Sequence, residues 1–274
     1  MSVSVPLRLR PLEIGDLLDE TFRMYRRHFV LFAGISAILA IPSAASSGFN
    51  YFAVFGSLFQ PDSQLDTTTY LASQLAQLVA LLINVALLPF AFGAVTYAAC
   101  ESALGRPVTA GGIFTAVLRR YFPLLGFFLL IAVMGVVFCL IPLWVWIWVN
   151  WIAVVPAMFV ENIGLGAAMS RSWALVTGRW WRTFLIVFLI GVLFFVVRAA
   201  LAAFAVVPIA IASIFLSSYI LLAIAGAIGI VVDALVNPVL QIALVLIYFD
   251  LRVRREALDL FQMAYRLAAP QATS

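Results

Sequence analysis

Lysine is missing altogether: all sixteen basic residues of this 274-residue chain are arginine. A Walker-type phosphate loop is excluded with it. Histidine occurs once, as His28, so a histidine-based metal centre or a Ser/His dyad has no visible partners. Cys-x-x-Cys, Gly-x-Ser-x-Gly and His-Glu-x-x-His are absent too. No catalytic residue, metal site or cofactor is therefore expected. Charged residues make up only 10% of the chain, against about 25% in a soluble domain. The two cysteines, Cys100 and Cys139, fall near opposite faces of the arrangement set out below, too far apart for a disulfide.

Apolar residues fill the space that charge leaves, at 65% of positions against roughly 45–50% in soluble domains. The fold class this implies is all-α: a polytopic transmembrane helix bundle of about six spans, with amphipathic interfacial helices on the cytoplasmic side. The lack of lysine reads as coding bias. The net charge of +4 reflects orientation in a membrane rather than nucleic-acid binding, because the arginines flank apolar runs.

The stretch Glu161 to Phe184 organises the chain. Leu165, Ala168, Met169, Ser172, Trp173 and Val176 recur at i, i+3, i+4, i+7, i+8 and i+11, one stripe of a helix lying on a surface, while Ser170, Arg171 and Thr177 turn away. Gly178 can close it, and Arg179, Trp180, Trp181 and Arg182 stand where an apolar run begins, as amphipathic rings and cations do at a bilayer boundary. Ile14, Leu17, Leu18, Thr21, Phe22 and Tyr25 repeat the stripe after Pro11, with acids first, arginines last, and Asp19 to Arg23 as an i, i+4 pair. That charged face is either merely solvated or a surface for protein or anionic lipid. Ala110, Ile113, Phe114, Val117, Leu118 and Tyr121 form a third stripe, and Ala257, Leu258, Phe261, Ala264, Tyr265 and Ala268 a fourth in a cytoplasmic tail, 251–274.

Six spans are expected: Phe29 to Gly48, Tyr70 to Ala99, Tyr121 to Ile141, Leu143 to Val160, Thr183 to Ala205, and Ile224 to Phe249. Phe49 to Thr69 forms a far-side loop. Ser43, Ala44 and Ala45 resemble a signal-cleavage site, but the organised segment before them favours an uncleaved first span. Pro208 to Ser218 is assigned to an interfacial or re-entrant piece, which keeps every arginine-rich segment and both termini on the cytoplasmic side of the inner membrane. Trp144, Trp146, Trp148 and Trp151 form an interface belt.

Within this single membrane domain a three-unit pattern is visible over 11–100, 101–160 and 161–250, each an amphipathic segment followed by two spans. Candidate interfacial basic and aromatic positions mark its junctions: Arg26 and Arg27, then Arg119 and Arg120, then Arg179, Trp180, Trp181 and Arg182. Each second span carries an Asn followed by a Pro: Asn84 and Pro89, Asn150 and Pro156, Asn237 and Pro238.

Arg198 and Asp233 are the charges inside apolar runs. Counted from Arg182 and Asp250 at 1.5 Å per residue, both lie about 24–25 Å from the arginine-rich side. Three readings stand: a structural ion pair, independent solvation at the far interface, or a substrate or proton site. Glu161 is expected to favour the N-terminus of the helix that follows it. Ala225 with Gly229, and Ala199 with Ala203, are small-xxx-small pairs suited to close helix contact.

Leu9 to Asp19 running into Phe22 to Phe29, Ala168 to Arg182, and Tyr248 to Arg254 together resemble a bacterial and archaeal integral membrane family, the membrane domain of glycerophosphoryl diester phosphodiesterase. The resemblance implies a six-span cytoplasmic-membrane protein of largely unassigned role. In relatives of that kind the membrane region precedes a soluble phosphodiesterase barrel. That barrel is absent here, so no catalytic residue carries over. The functional expectation is a non-enzymatic protein that contacts membrane lipids, a scaffold or the partner of another protein or of its own copies. The alternatives are a transporter or channel for small solutes or lipids using Arg198 and Asp233, and a membrane region assisting a separate phosphodiesterase.

Overall fold

A chain with this little polar surface has to satisfy its backbone internally, and the helix does so within one segment. The computed structural model describes residues 13–50, 67–136, 141–216 and 218–256, and among them every regular element is a helix. In order these are α1 (Ile14–Arg27), α2 (Phe29–Asn50), α3 (Thr67–Ala103), α4 (Ala110–Arg119), α5 (Tyr121–Val136), α6 (Ile141–Asn150), α7 (Val154–Val160), α8 (Leu165–Val176), α9 (Trp180–Ala205), α10 (Val207–Phe215) and α11 (Tyr219–Glu256). Most of the expected far-side loop, Cys139 and the tail stripe from Ala257 lie outside the described residues.

Among the described residues four stretches are long and apolar enough to cross a membrane, and six are if α1 with α2, and α4 with α5, each count as one bent span. The bends are sharp, 77° at His28 and 64° at Arg120, and fall at the two expected Arg-Arg junctions. The third junction also breaks, where Gly178 adopts φ +83°, the left-handed conformation that glycine takes without a Cβ penalty.

The segment after residue 205, expected to be interfacial or re-entrant, follows α9 past a single turn residue as α10, and by length and composition 180–215 counts as one 36-residue candidate span. At 1.5 Å per residue it runs about 54 Å, against a hydrocarbon core of about 30 Å. The fourth span, expected over Leu143 to Val160, stands as one candidate span, Pro142–Val160, with a turn at Trp151–Ala153 where α6 gives way to α7. Pro156 explains the break, since it lacks the N–H that would bond Ile152 and its ring crowds that carbonyl, so a new helix can start only just before it.

The helices close into a ring. Each amphipathic helix packs on the second span of the unit before it: α4 on α3, α8 on α7, and α1 on α11. The second spans α3, α7 and α11 touch one another at the centre; α2 lies against α11, α5 against α3, and α9 against α6 and α11. Gly93 lies at one of these seats. A Cβ there would come within 3.0 Å of the Leu124 side chain and 3.3 Å of Val117, so both would have to give by a few tenths of an ångström at the α4–α5 corner.

Proline kinks are capped the same way at two places in the ring. Pro89 and Pro238 open their helices by crowding the carbonyl four residues back. In each case a tyrosine from the next unit reaches the carbonyl three residues before the proline: Tyr121 donates to Ala86 at 3.0 Å and Tyr25 to Leu235 at 2.7 Å. Tyr25→Phe is expected to cost about 0.5–1.5 kcal/mol, and much less in a Pro238→Ala background where the turn is closed. A double-mutant cycle on detergent melting temperatures reads this coupling, and a cycle showing none removes the capping role.

Packing divides the molecule. Ala94–Ala103 of α3, Ile152–Met158 around α7, and Ile242–Leu251 of α11 are almost wholly buried. Leu71 to Leu82 of α3 and Phe195 to Phe215 of α9 and α10 instead present rows of large exposed apolar side chains, the surface that lipid covers.

Candidate functional site

The functional candidates fall at two places: a polar latch at the buried end and an ion pair beside an apolar groove. The latch begins with the break in the fourth span, which frees backbone groups in protein interior. Ser172 of α8, 0% exposed, supplies the missing partners. Its Oγ donates to the Asn150 carbonyl at 2.6 Å and accepts from the Ala153 N–H at 3.1 Å. The α8 stripe thus buries Ala168, Ser172 and Val176, with Leu175 added.

Glu161 does not serve the N-terminus of α8. Both its oxygens accept from Arg171 Nε at 2.9 Å, and the Tyr248 hydroxyl donates to Oε1 at 2.8 Å. Arg171 also donates through Nη2 to Glu256, which takes a second bond from Arg252 at 2.8 Å. Nearby, Asp250 is 2% exposed and accepts from Arg182 at 2.7 Å and from Arg254 at 2.9 Å. Arg255 donates to the Thr177 carbonyl at 3.0 Å. The latch fastens α8 and the start of α9 to the end of α11, and its acids are already engaged by cations. Sequence reasoning placed Arg171 on the outer face and missed Tyr248 and Glu256, because their partners are 85 and 87 residues away in the chain.

Other junction residues have structural positions. Arg120 donates to the Ile163 carbonyl at 2.6 Å and to the Asn162 side chain, and lies 5.9 Å from the Phe159 ring centre. Asn162 needs that anchor as the one described non-glycine residue with positive φ, 56°. Burial, then Arg119, lowers the Arg120 pKa from its ordinary value. Trp180 stacks on Phe184 and donates to the Trp146 carbonyl at 3.3 Å, while Trp181 is 77% exposed. Trp146 meets Trp173 edge to face while remaining 42% exposed. Arg26 and Arg119 are exposed, as is Arg27, and Arg179 is half-buried. His28 sits at the first bend, where burial, then Arg27, lowers its pKa. The pair expected between Asp19 and Arg23 gives way to Glu20 with Arg23 at 3.3 Å. Among the described residues no His/Cys/Asp/Glu group could hold a metal ion.

At the second place Arg198 grips Asp233 with both ends of its guanidinium, Nε to Oδ1 at 2.5 Å and Nη2 to Oδ2 at 3.1 Å. The two residues are 49% and 36% exposed, on the lipid-facing part of α9 and α11. Mutual pairing offsets most of the cost that either charge would bear alone in apolar surroundings. Exchanging the charges, Arg198→Asp with Asp233→Arg, is expected to restore the expression and thermal stability that either single change lowers. A double variant no better than the singles would dismiss the pair's structural role.

α1 and the latch lie at different heights along α11. α1 meets α11 at Leu235 to Ala243, 7 to 15 residues before Asp250, so it stands about 10–22 Å along α11 from the latch. Asp233 is two residues from the carbonyl that Tyr25 caps. The ion pair is therefore about 24 Å from Arg182 yet beside the tip of the α1 tyrosine.

Beside it, α1, α9 and α11 enclose an apolar groove of about 300 Å³, and a shallower crevice lies between α6 and α9. No protein-family model, curated protein or solved structure matches this chain.

Proposed function

We propose that this protein is a non-enzymatic integral membrane protein that organises lipid around a rigid helical ring, acting as a scaffold in the cytoplasmic membrane with both termini on the cytoplasmic side. The observation that carries this reading is the space between α9 and α11, where a transport route using Arg198 and Asp233 would have to run. That space is an apolar groove roofed by α1, and the two charges beside it are spent on each other. The latch supports the same reading, since its acids are held by arginines and are not poised as free bases.

Proteoliposomes containing the purified protein test it. Spin-labelled anionic lipid should be motionally restricted by the protein more than zwitterionic lipid, with no protein-dependent solute flux. Saturable uptake that disappears in Asp233→Asn would replace the scaffold with a transporter, the second reading, which two lone charges within apolar runs favour. The resemblance to the phosphodiesterase membrane domain adds a partner proposal: a separately encoded glycerophosphodiester phosphodiesterase. Hydrolysis of glycerophosphodiesters by the purified chain alone would end the non-enzymatic assignment.

A further inference from the structure

The groove between α1, α9 and α11 has the chemistry of a site for one lipid molecule. Leu18 and Phe22 of α1, Leu193 and Phe194 of α9, and Val239 and Leu240 of α11 are among its walls. Only Thr21 and Tyr25 bring polar atoms, and both are occupied: the Thr21 hydroxyl donates to Leu17 at 2.7 Å and the Tyr25 hydroxyl to Leu235 at 2.7 Å. A ligand that needs hydrogen bonds gains none here, whereas hydrocarbon loses none.

Two of the three walls are helices long and apolar enough to span a bilayer, so the groove faces acyl chains. The third wall is the amphipathic helix, and it sets the other end of the ligand. Arg26 follows Phe22 by one turn, on the stripe that lines the groove, and is exposed. Arg27 follows it in the last turn of α1, while Arg23 is paired with Glu20, so the net positive charge at this end of the helix, where a headgroup would emerge from the groove, centres on Arg26. Positive charge at the mouth and a dry apolar interior together match an anionic phospholipid, its acyl chain inserted and its phosphate beside Arg26.

We infer that the α1–α9–α11 groove binds the acyl chain of a single anionic phospholipid whose headgroup is held by the arginines ending α1. This rests on the lipid-interacting reading above and adds a defined site and headgroup class to it. The two fail separately, because solute flux would defeat the scaffold without emptying the groove, and an empty groove would leave a scaffold with only annular lipid.

Native mass spectrometry of the full chain, delipidated in detergent and titrated with dioleoylphosphatidylglycerol or dioleoylphosphatidylcholine, tests the site. One phosphatidylglycerol should bind in preference to phosphatidylcholine. Leu193→Trp, which fills the groove, should weaken phosphatidylglycerol by about tenfold or more, and Arg26→Gln by about fivefold with little change for phosphatidylcholine. Equal retention by wild type and a folded Leu193→Trp overturns the proposal, and so does equal binding of the two lipids. Should Leu193→Trp not fold, wild-type protein photolabelled by phosphatidylglycerol carrying a diazirine in its acyl chain decides the matter. Labels concentrated on Phe22, Leu193 and Val239 uphold the site, and labels spread over the open face of α3, Leu71 to Leu82, remove it.

Discussion

Arg171→Leu is expected to lower the melting temperature of the detergent-purified protein by about 5–15 °C, corresponding to about 2–4 kcal/mol. Arg171 neutralises two acids, Glu161 and Glu256, and Glu161 also holds the hydroxyl of Tyr248, a fully buried residue. Its removal leaves two carboxylates facing each other with one less cation between α8 and α11. The expected cost stays below the roughly 3–5 kcal/mol of a fully buried pair because Arg171 is 29% exposed and water can enter. Arg171→Lys should lie between, keeping the charge but losing the fork that bonds both acids at once. Thermal unfolding followed by circular dichroism measures the series. A leucine variant within about 1 °C of wild type would mean that the latch holds nothing together.

Ser172→Val should cost about 2–5 kcal/mol, since it removes a shared hydroxyl and enlarges the side chain by a methyl group. The serine is wholly buried and is a shared partner for the Asn150 carbonyl and the Ala153 N–H at the break between α6 and α7. Valine leaves both unpaired inside protein and adds a methyl group where no room is spare. Ser172→Ala should lose the hydrogen bonds without the crowding and cost about 1–3 kcal/mol. If the two variants melt together near wild type, the break is held by its own helices and not by α8.

The amphipathic helices could be read in the sequence because each is an uninterrupted local pattern. Leu17, Thr21, Ile113, Val117, Ala168, Ser172 and Val176 are buried where their spacing places them. Both Arg-Arg junctions become bends for an equally local reason, a charged helix end followed at once by an apolar run. Hydropathy could not reveal the break at Trp151–Ala153, since a broken and an unbroken span have the same apolar content. Pro156 was the available signal for it. Pro89 lies within a helix that continues, so a proline alone does not separate a kink from a break.

Long-range polar pairing was legible only for Arg198 and Asp233, where two lone charges in apolar runs share a level. In the latch the candidates were too many: arginines crowd 252–255 and 179–182, and spacing does not say which acid each one meets. The height of α1 along α11 was not legible for the same reason. Charge pattern specifies a side of the membrane but not a height along a helix, and α1 is set by its fit against Leu235 to Ala243.

Because α1 caps α11, a hydroxyl near the beginning of the chain bonds a carbonyl 210 residues later. During synthesis the first amphipathic helix emerges while its seat does not yet exist, and it has to wait at the membrane surface until the last span leaves the translocon. Ring closure is thus the final folding event, and a ribosome stalled before residue 235 would leave α1 undocked, its apolar stripe open to chaperones and proteases.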